Sequence, residues 1–201
     1  LLEPYPESPY FVDIEENQVA CLYYSSGTTG NSKCVMYSHR NMVSLIESIS
    51  SGFNLSSESV HLGVLPLGHT AITNYSFLPA MYAGSTMYLA ENFNSIRQDL
   101  WKIISDLGIS YLQVVPTVLF SILATPYDSK EVQSNKSLKF IGCGSAPLSK
   151  ESQINFYKKF RIRVANLYGL SETGPSHFDN PLSSSWEPGS IGYPLSVNQC
   201  K

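Results

Sequence analysis

Charge is scarce in this chain. Only 14% of its 201 residues are Asp, Glu, Lys or Arg, against about a quarter in ordinary soluble domains. Thirteen basic and 16 acidic residues leave a net charge of −3. With that balance no basic face is advertised, so nucleic acid is not an expected partner. Cysteine is sparse as well. Cys21, Cys34, Cys143 and Cys200 are far apart and form no C-x-x-C pair, which removes a disulfide framework and a thiolate metal site and points to a reduced, cytoplasmic compartment. Cys21 and Cys143 sit in apolar runs and read as core residues. No apolar run reaches ~18 residues, so neither a transmembrane helix nor a secretory leader is expected. A Gly-x-Ser-x-Gly string is also missing, and with it the nucleophile elbow of a serine hydrolase. There is no internal repeat. The first residue is not Met, and the last five, Val197-Asn198-Gln199-Cys200-Lys201, do not taper into a tail. Both ends read as cuts in a longer protein.

What is present is a large apolar fraction, 43%, enough to bury one substantial core. It is distributed in a regular alternation. Strand-like runs fall at 19–25, 34–38, 60–65, 85–89, 111–115, 138–143 and 163–168. Between them lie helical patterns at 39–51, 75–82, 96–107, 116–123 and 150–160, several with capping residues such as Ser38, Asn94 or Ser95, and Ser149. Residues 125–137 read as a polar loop and 1–18 as an extended lead-in. Strands alternating with helices of about ten residues predict an α/β fold, a mostly parallel sheet flanked by helices. Ligands in such folds bind beyond the carboxyl ends of the strands.

Three loops lie where that rule puts a site. The first is Ser25-Ser26-Gly27-Thr28-Thr29-Gly30-Asn31-Ser32-Lys33. Gly27 and Gly30 let the backbone approach a ligand, the hydroxyls of Ser25, Ser26, Thr28 and Thr29 can donate to oxygen anions, and Lys33 adds a point charge. These are the parts of a polyphosphate cradle, although an ordinary Gly/Ser/Thr turn has the same composition. It is not a P-loop, because Gly-Lys-Ser/Thr is not contiguous. The second loop is Gly142-Cys143-Gly144-Ser145-Ala146-Pro147-Leu148. The third is Tyr168-Gly169-Leu170-Ser171-Glu172, in which Tyr168 offers a face for stacking, Ser171 a donor and Glu172 a hard oxygen ligand suited to Mg²⁺.

In this order, Ser-Ser-Gly-Thr-Thr-Gly-x-x-Lys resembles the signature loop of the ANL superfamily of adenylate-forming enzymes. Tyr168 to Glu172 resembles its Tyr-Gly-x-Thr-Glu motif, with Ser171 in place of Thr. Gly144 to Leu148 resembles the Gly-Gly-Ala-Pro-Leu turn of its acyl- and aryl-CoA ligases. Leu65-Pro66-Leu67-Gly68-His69 is similar to their Pro-x-x-His segment, with Gly68 where an aromatic commonly stands. Pro188-Gly189-Ser190-Ile191-Gly192-Tyr193-Pro194 resembles the Gly-Ser-Val-Gly-x-Pro segment that marks position further on. The resemblance runs from Tyr24 to Pro194.

The resemblance implies that residues 1–201 are part of the large N-terminal AMP-binding domain, without the C-terminal lid domain and its catalytic lysine. It implies an acid–thiol ligase that activates a carboxylic acid with Mg·ATP as an acyl-adenylate and passes it to a thiol, coenzyme A or a carrier protein. Ser25, Ser26, Gly27, Thr28, Thr29, Gly30 and Lys33 would hold the outer phosphates. Ser171 would contact the α-phosphate, Glu172 the Mg²⁺, and Tyr168 and Gly169 the nucleotide beside Gly144, Ser145 and Ala146. His69 would position the acyl carboxylate or gate the thiol. A carrier-loading adenylation domain and a non-catalytic nucleotide-binding fragment are the alternatives. Taken alone, the 201 residues are expected to be inactive or nearly so. The family's Pro-Lys-Gly is Ser32-Lys33-Cys34 here, and a left-handed backbone at Cys34 would cost about 1–2 kcal/mol.

Overall fold

The computed structural model describes residues 11–25 and 33–199. The chain divides into two compact units, residues 1–42 and 43–201. In the first, β1 (Val19–Ser25) and β2 (Lys33–Ser38) pair antiparallel, from Val19 opposite Ser38 to Ser25 opposite Lys33. Tyr23 and Tyr37 are both buried and meet edge to face at 5.2 Å. Two backbone bonds tie the lead-in to the helix that follows: His39 N donates to Gln18 O and Arg40 N to Glu16 O. That helix is α1 (His39–Gly52). Ser38 Oγ accepts from Asn41 N near its start, as the sequence predicts. Cys34 is an exposed residue of β2 opposite Tyr24. Its φ is not positive, so the strain considered for that position does not arise.

The second unit is built on a seven-stranded sheet in the order β4-β3-β5-β6-β7-β8-β9. The strands β3 (Val60–Gly63), β4 (Thr86–Leu89), β5 (Tyr111–Val114), β6 (Phe140–Cys143) and β7 (Val164–Leu170) run parallel. Then β8 (Gly174–Phe178) and β9 (Tyr193–Pro194) add antiparallel. Both faces of the inner strands β5 and β6 are covered, so these read as continuous apolar runs, while the edge strand β4 is largely exposed. Side chains alternate between the faces. Leu112, Val114, Ile141 and Val164 pack with Trp101, Ile104, Leu119 and Phe156. Tyr111, Phe140, Ala165 and Leu167 pack with Ile49, Phe53, Tyr75 and Phe178 on the other side.

The helices are α2 (Thr70–Ile72), α3 (Leu78–Tyr82), α4 (Phe93–Ile96), α5 (Leu100–Asp106), α6 (Pro116–Ala124), α7 (Ser129–Ser134) and α8 (Lys150–Phe160). Three departures from expectation stand out. The helix expected over 96–107 is broken into α4 and α5. Asn92 rather than Asn94 or Ser95 caps the first piece, and Tyr127 Oη donates to Arg97 O at the break. The expected polar loop 125–137 contains α7, capped by Asp128. Finally, the helix expected from 75 begins earlier, at Thr70, and passes through a π turn over Thr73–Phe77.

Candidate functional site

The carboxyl ends of the parallel strands carry a cavity of about 260 Å³. Three of the sequence segments meet there. His69 comes from the turn after β3, Ser145 from the turn after β6, and Gly169, Ser171 and Glu172 from the end of β7 and its hairpin to β8. Asn74 and Tyr75 of the π turn form part of the wall. A π turn is often found where side chains are aimed at a functional pocket.

His69 is the N-cap of α2. Its Nδ1 accepts from Ala71 N at 3.0 Å. A ring nitrogen that accepts a backbone N–H is unprotonated, so the neutral ring carries its proton on Nε2. The residue therefore starts a helix and lines the cavity. At the neighbouring Gly68 an added Cβ would meet nothing within 4 Å, so the position has room for the aromatic common in the family.

The hairpin after β7 is pinned from several sides. Tyr168 O accepts from Tyr75 Oη and from Ser176 Oγ, each at 3.1 Å. Thr173 Oγ1 accepts from Leu170 N and donates to Gly174 O. Gly169 lies in β7 rather than in a loop, and a Cβ there would stand 2.4 Å from Gly174 O and 3.0 Å from Tyr75 Oη. Only glycine allows that approach. Glu172 is exposed at the rim. The tie of Asn166 Nδ2 to Ser190 O anchors the 188–194 segment beside β7.

Ser145 has φ +70, a left-handed conformation that favours glycine. The resembling turn carries glycine at this place. The backbone cost considered at Cys34 thus belongs to Ser145 instead, and amounts to about 1–2 kcal/mol.

Of the residues singled out in the sequence, His69, Ser145, Gly169, Ser171 and Glu172 line the cavity. Gly144, Ala146 and Tyr168 are not among its lining residues. Gly144 packs on β7, where a Cβ would be 2.8 Å from Leu167 O. Tyr168 is 44% exposed with its ring edge to His177. Lys33 is the exposed first residue of β2, and Ser25 is its partner across the ladder. The remaining phosphate-loop residues, Ser26, Gly27, Thr28, Thr29 and Gly30, lie outside the described residues. Thr70, Ala71, Leu170, Gly174 and Pro175 also line the cavity and carried no sequence signal of their own beyond lying next to a motif. Among the described residues, no group of three or more His, Cys, Asp or Glu is placed to hold a metal ion, and no helix is long and apolar enough to cross a membrane.

Behind the wall, His61 of β3 is fully buried. Its Nδ1 lies 3.1 Å from Ser76 Oγ of the π turn, its ring meets Tyr111 edge to face, and its Nε2 has no hydrogen-bond partner. Burial pushes its imidazole down to about 4. Neutral, it holds the π turn from beneath.

The model of the family described as "AMP-binding enzyme" matches residues 3–201. The chain belongs to that family. A 4-coumarate–CoA ligase from Pinus taeda is 32% identical over 169 residues, 82% of this chain and 31% of that protein. A sulfoacetate–CoA ligase from Cupriavidus necator is 30% identical over 193 residues, 95% of this chain and 35% of that one. Among solved structures, ATP-bound MatB from Rhodopseudomonas palustris superposes with a TM-score of 0.83 at 25% identity, covering 94% of this chain and 36% of its own. The chain spans about a third of the length of these relatives, which agrees with a partial N-terminal domain of an adenylate-forming enzyme.

Proposed function

We propose that this chain is the nucleotide-binding part of an acyl-CoA synthetase, an ATP-dependent acid–thiol ligase. The observation that carries the reading is the convergence of His69, Ser145, Ser171 and Glu172 on one cavity at the carboxyl ends of the strands. The relatives named above are CoA ligases or, in the case of MatB, an ATP-bound structure, and their chemistry supports the same assignment here.

In the first step a carboxylate oxygen of the acid attacks the α-phosphorus of ATP. The bond from that phosphorus to the bridging oxygen breaks, pyrophosphate leaves, and an acyl-adenylate forms. In the second, a thiol sulfur, that of coenzyme A, attacks the acyl carbon, and AMP departs. Neither step uses an enzyme nucleophile. The protein contributes placement and preorganised charge. Ser171 Oγ donates to the α-phosphate, and the turn at 144–146 edges the adenine against Tyr168. The Nε2–H of His69 faces the carboxylate. The loop 25–30 with Lys33 takes the β- and γ-phosphates. One exposed carboxylate, Glu172, fits Mg²⁺, which usually takes one or two carboxylates plus phosphate oxygens. The ion would offset the charge on the phosphates.

The ribose-binding acid and the lid lysine of the family have no counterpart within 1–201. Each hydrogen bond to a charged group contributes about 1.5–3 kcal/mol, so ATP binding by this chain is expected to be roughly a hundredfold weaker than by a complete enzyme. Loss of one charge stabiliser costs about 10²–10³ in rate. In an ¹H–¹⁵N NMR titration with Mg·ATP, the amides of His69, Ser171 and Glu172 should shift and saturate, and Lys33→Ala with Glu172→Ala should weaken binding at least tenfold. Absence of binding by the unaltered chain would instead favour a scaffold. ATP–pyrophosphate exchange should stay at background, and robust turnover would overturn the expectation of inactivity.

A further inference from the structure

The amino ends of the central strands border a second concavity. α7 leads into the amino end of β6 and α8 into the amino end of β7. Where these two helices finish, they border a groove of about 610 Å³, within the range of small-molecule sites. It lies at the other end of the strands from the cavity around His69 and Ser171. Lys136, Lys158, Lys159 and Arg161 line it, and no Asp or Glu does. Four of the chain's 13 cations thus meet in a chain whose net charge is negative.

The ordinary explanation of cations at a helix C-terminus is the helix dipole, and it accounts for part of this. The end of α8 presents about half a negative charge. Lys159 is used structurally, with its Nζ donating to Leu123 O and Thr125 O. That leaves three full charges, on Lys136, Lys158 and Arg161, facing at most the half charges of the two helix ends. None of the three is in an ion pair, the one such pair among the described residues being Lys102 with Asp106. Asp128 accepts from Lys130 N as the cap of α7. Arg161 is held in place by its left-handed φ of +60 and the bond from its N–H to Tyr157 O. The groove also has an amide nitrogen without a partner, Asn135 Nδ2. Its floor is apolar, with Tyr127 and Ile162 half-buried there.

We propose that this groove binds a phosphorylated small molecule, its phosphate between Lys136, Lys158 and Arg161 and its apolar part against Tyr127 and Ile162. Arg161 also has its guanidinium 5.8 Å from the centre of the Tyr157 ring, which leaves its charge outside any ion pair. A phosphomonoester carries close to two charges at neutral pH, which matches three cations without a counter-ion better than a carboxylate does. The guanidinium fork suits the oxygens of a phosphate.

The test is an ¹H–¹⁵N NMR titration of the full 201-residue chain with phenyl phosphate at ~0.1 M salt, with benzoate as the singly charged comparison. Phenyl phosphate is expected to shift the amides of Lys136, Lys158 and Arg161, to saturate with a Kd of about 1 mM or tighter, and to bind at least tenfold more tightly than benzoate. Lys136→Gln and Lys158→Gln should each weaken it roughly tenfold, while Ser171→Ala leaves it unchanged. Lys136 is exposed, so that variant remains informative if changes on α8 unfold the chain. Equal affinity for benzoate, shifts spread over all the cations without saturation, or indifference to Lys136→Gln would each overturn the proposal.

Discussion

Acid should loosen this protein through one buried ring. His61 is neutral in the folded chain because burial holds it down from 6.5 to about 4. Protonating it would put an N–H on both ring nitrogens and a full charge in the core, with no partner at Nε2, and an unpaired buried charge is costly. The unfolded chain takes up that proton near pH 6.5. Between pH 6.5 and 4 the unfolded state therefore binds more protons than the folded one, and stability falls as pH falls. The full contribution is present above pH 6.5 and is gone near pH 4. At 1.36 kcal/mol per unit, a shift of ~2.5 units is worth about 3 kcal/mol. A second group opposes it. Burial pushes the carboxyl of Asp179 up from 3.8 to about 6. Its contribution is present below pH 3.8 and is lost as pH rises through 6. Over pH 4–6 the two slopes have opposite signs, so the unaltered chain should have a shallow profile there. Urea unfolding of the unaltered chain, His61→Gln and Asp179→Asn, each at several pH values from 4 to 7.5, separates the two groups. Subtracting the parent from each variant at every pH removes the groups they share. The deficit of His61→Gln should shrink by about 3 kcal/mol as pH drops from 7 to 4. A deficit that does not vary with pH would refute a neutral buried His61.

Other expectations concern single positions. Ser145→Gly relieves the left-handed backbone and should raise stability by about 1–2 kcal/mol in thermal unfolding, less the entropy glycine adds to the unfolded chain. Gly192→Ala should destabilise by at least ~3 kcal/mol or leave the chain insoluble, since φ is +75 and a Cβ would stand 2.2 Å from Phe178 O. Ser149→Ala removes the hydroxyl that accepts from Ser152 N and should cost about 1 kcal/mol, recovered by Ser149→Asp. His69→Ala should lose a similar cap, and His69→Asn should restore helix stability, as read by urea unfolding, without restoring the Nε2–H donor.

The alternation of strands and helices was legible because the inner parallel strands are buried on both faces and stand out as apolar runs. The site segments were legible because their glycines, hydroxyls and single carboxylate have no use in a core. What escaped the sequence depended on contacts distant along the chain. β8 contains Gly174, Pro175 and Ser176, weak strand formers, and exists because β7 supplies its partners. The break at 97–99 coincides with a bond from Tyr127, 30 residues away. The strain at Ser145 follows from how the turn leaves β6, which residue type alone does not disclose. Lys33 was read as the last residue of the loop, whereas it is the first residue of β2.

The π turn at Thr73–Phe77 has a further consequence. A π turn closes over one residue more than an α turn. The cavity wall is thus defined by a count of residues as well as by their identity. Deleting one residue from the turn would let the helix revert to the α form and rotate the preceding part by about 100° relative to α3. Asn74 and His69 would then leave their places without any change in chemistry elsewhere. Insertions and deletions at this turn, more than point substitutions, are the changes by which such a wall could be reshaped in one step.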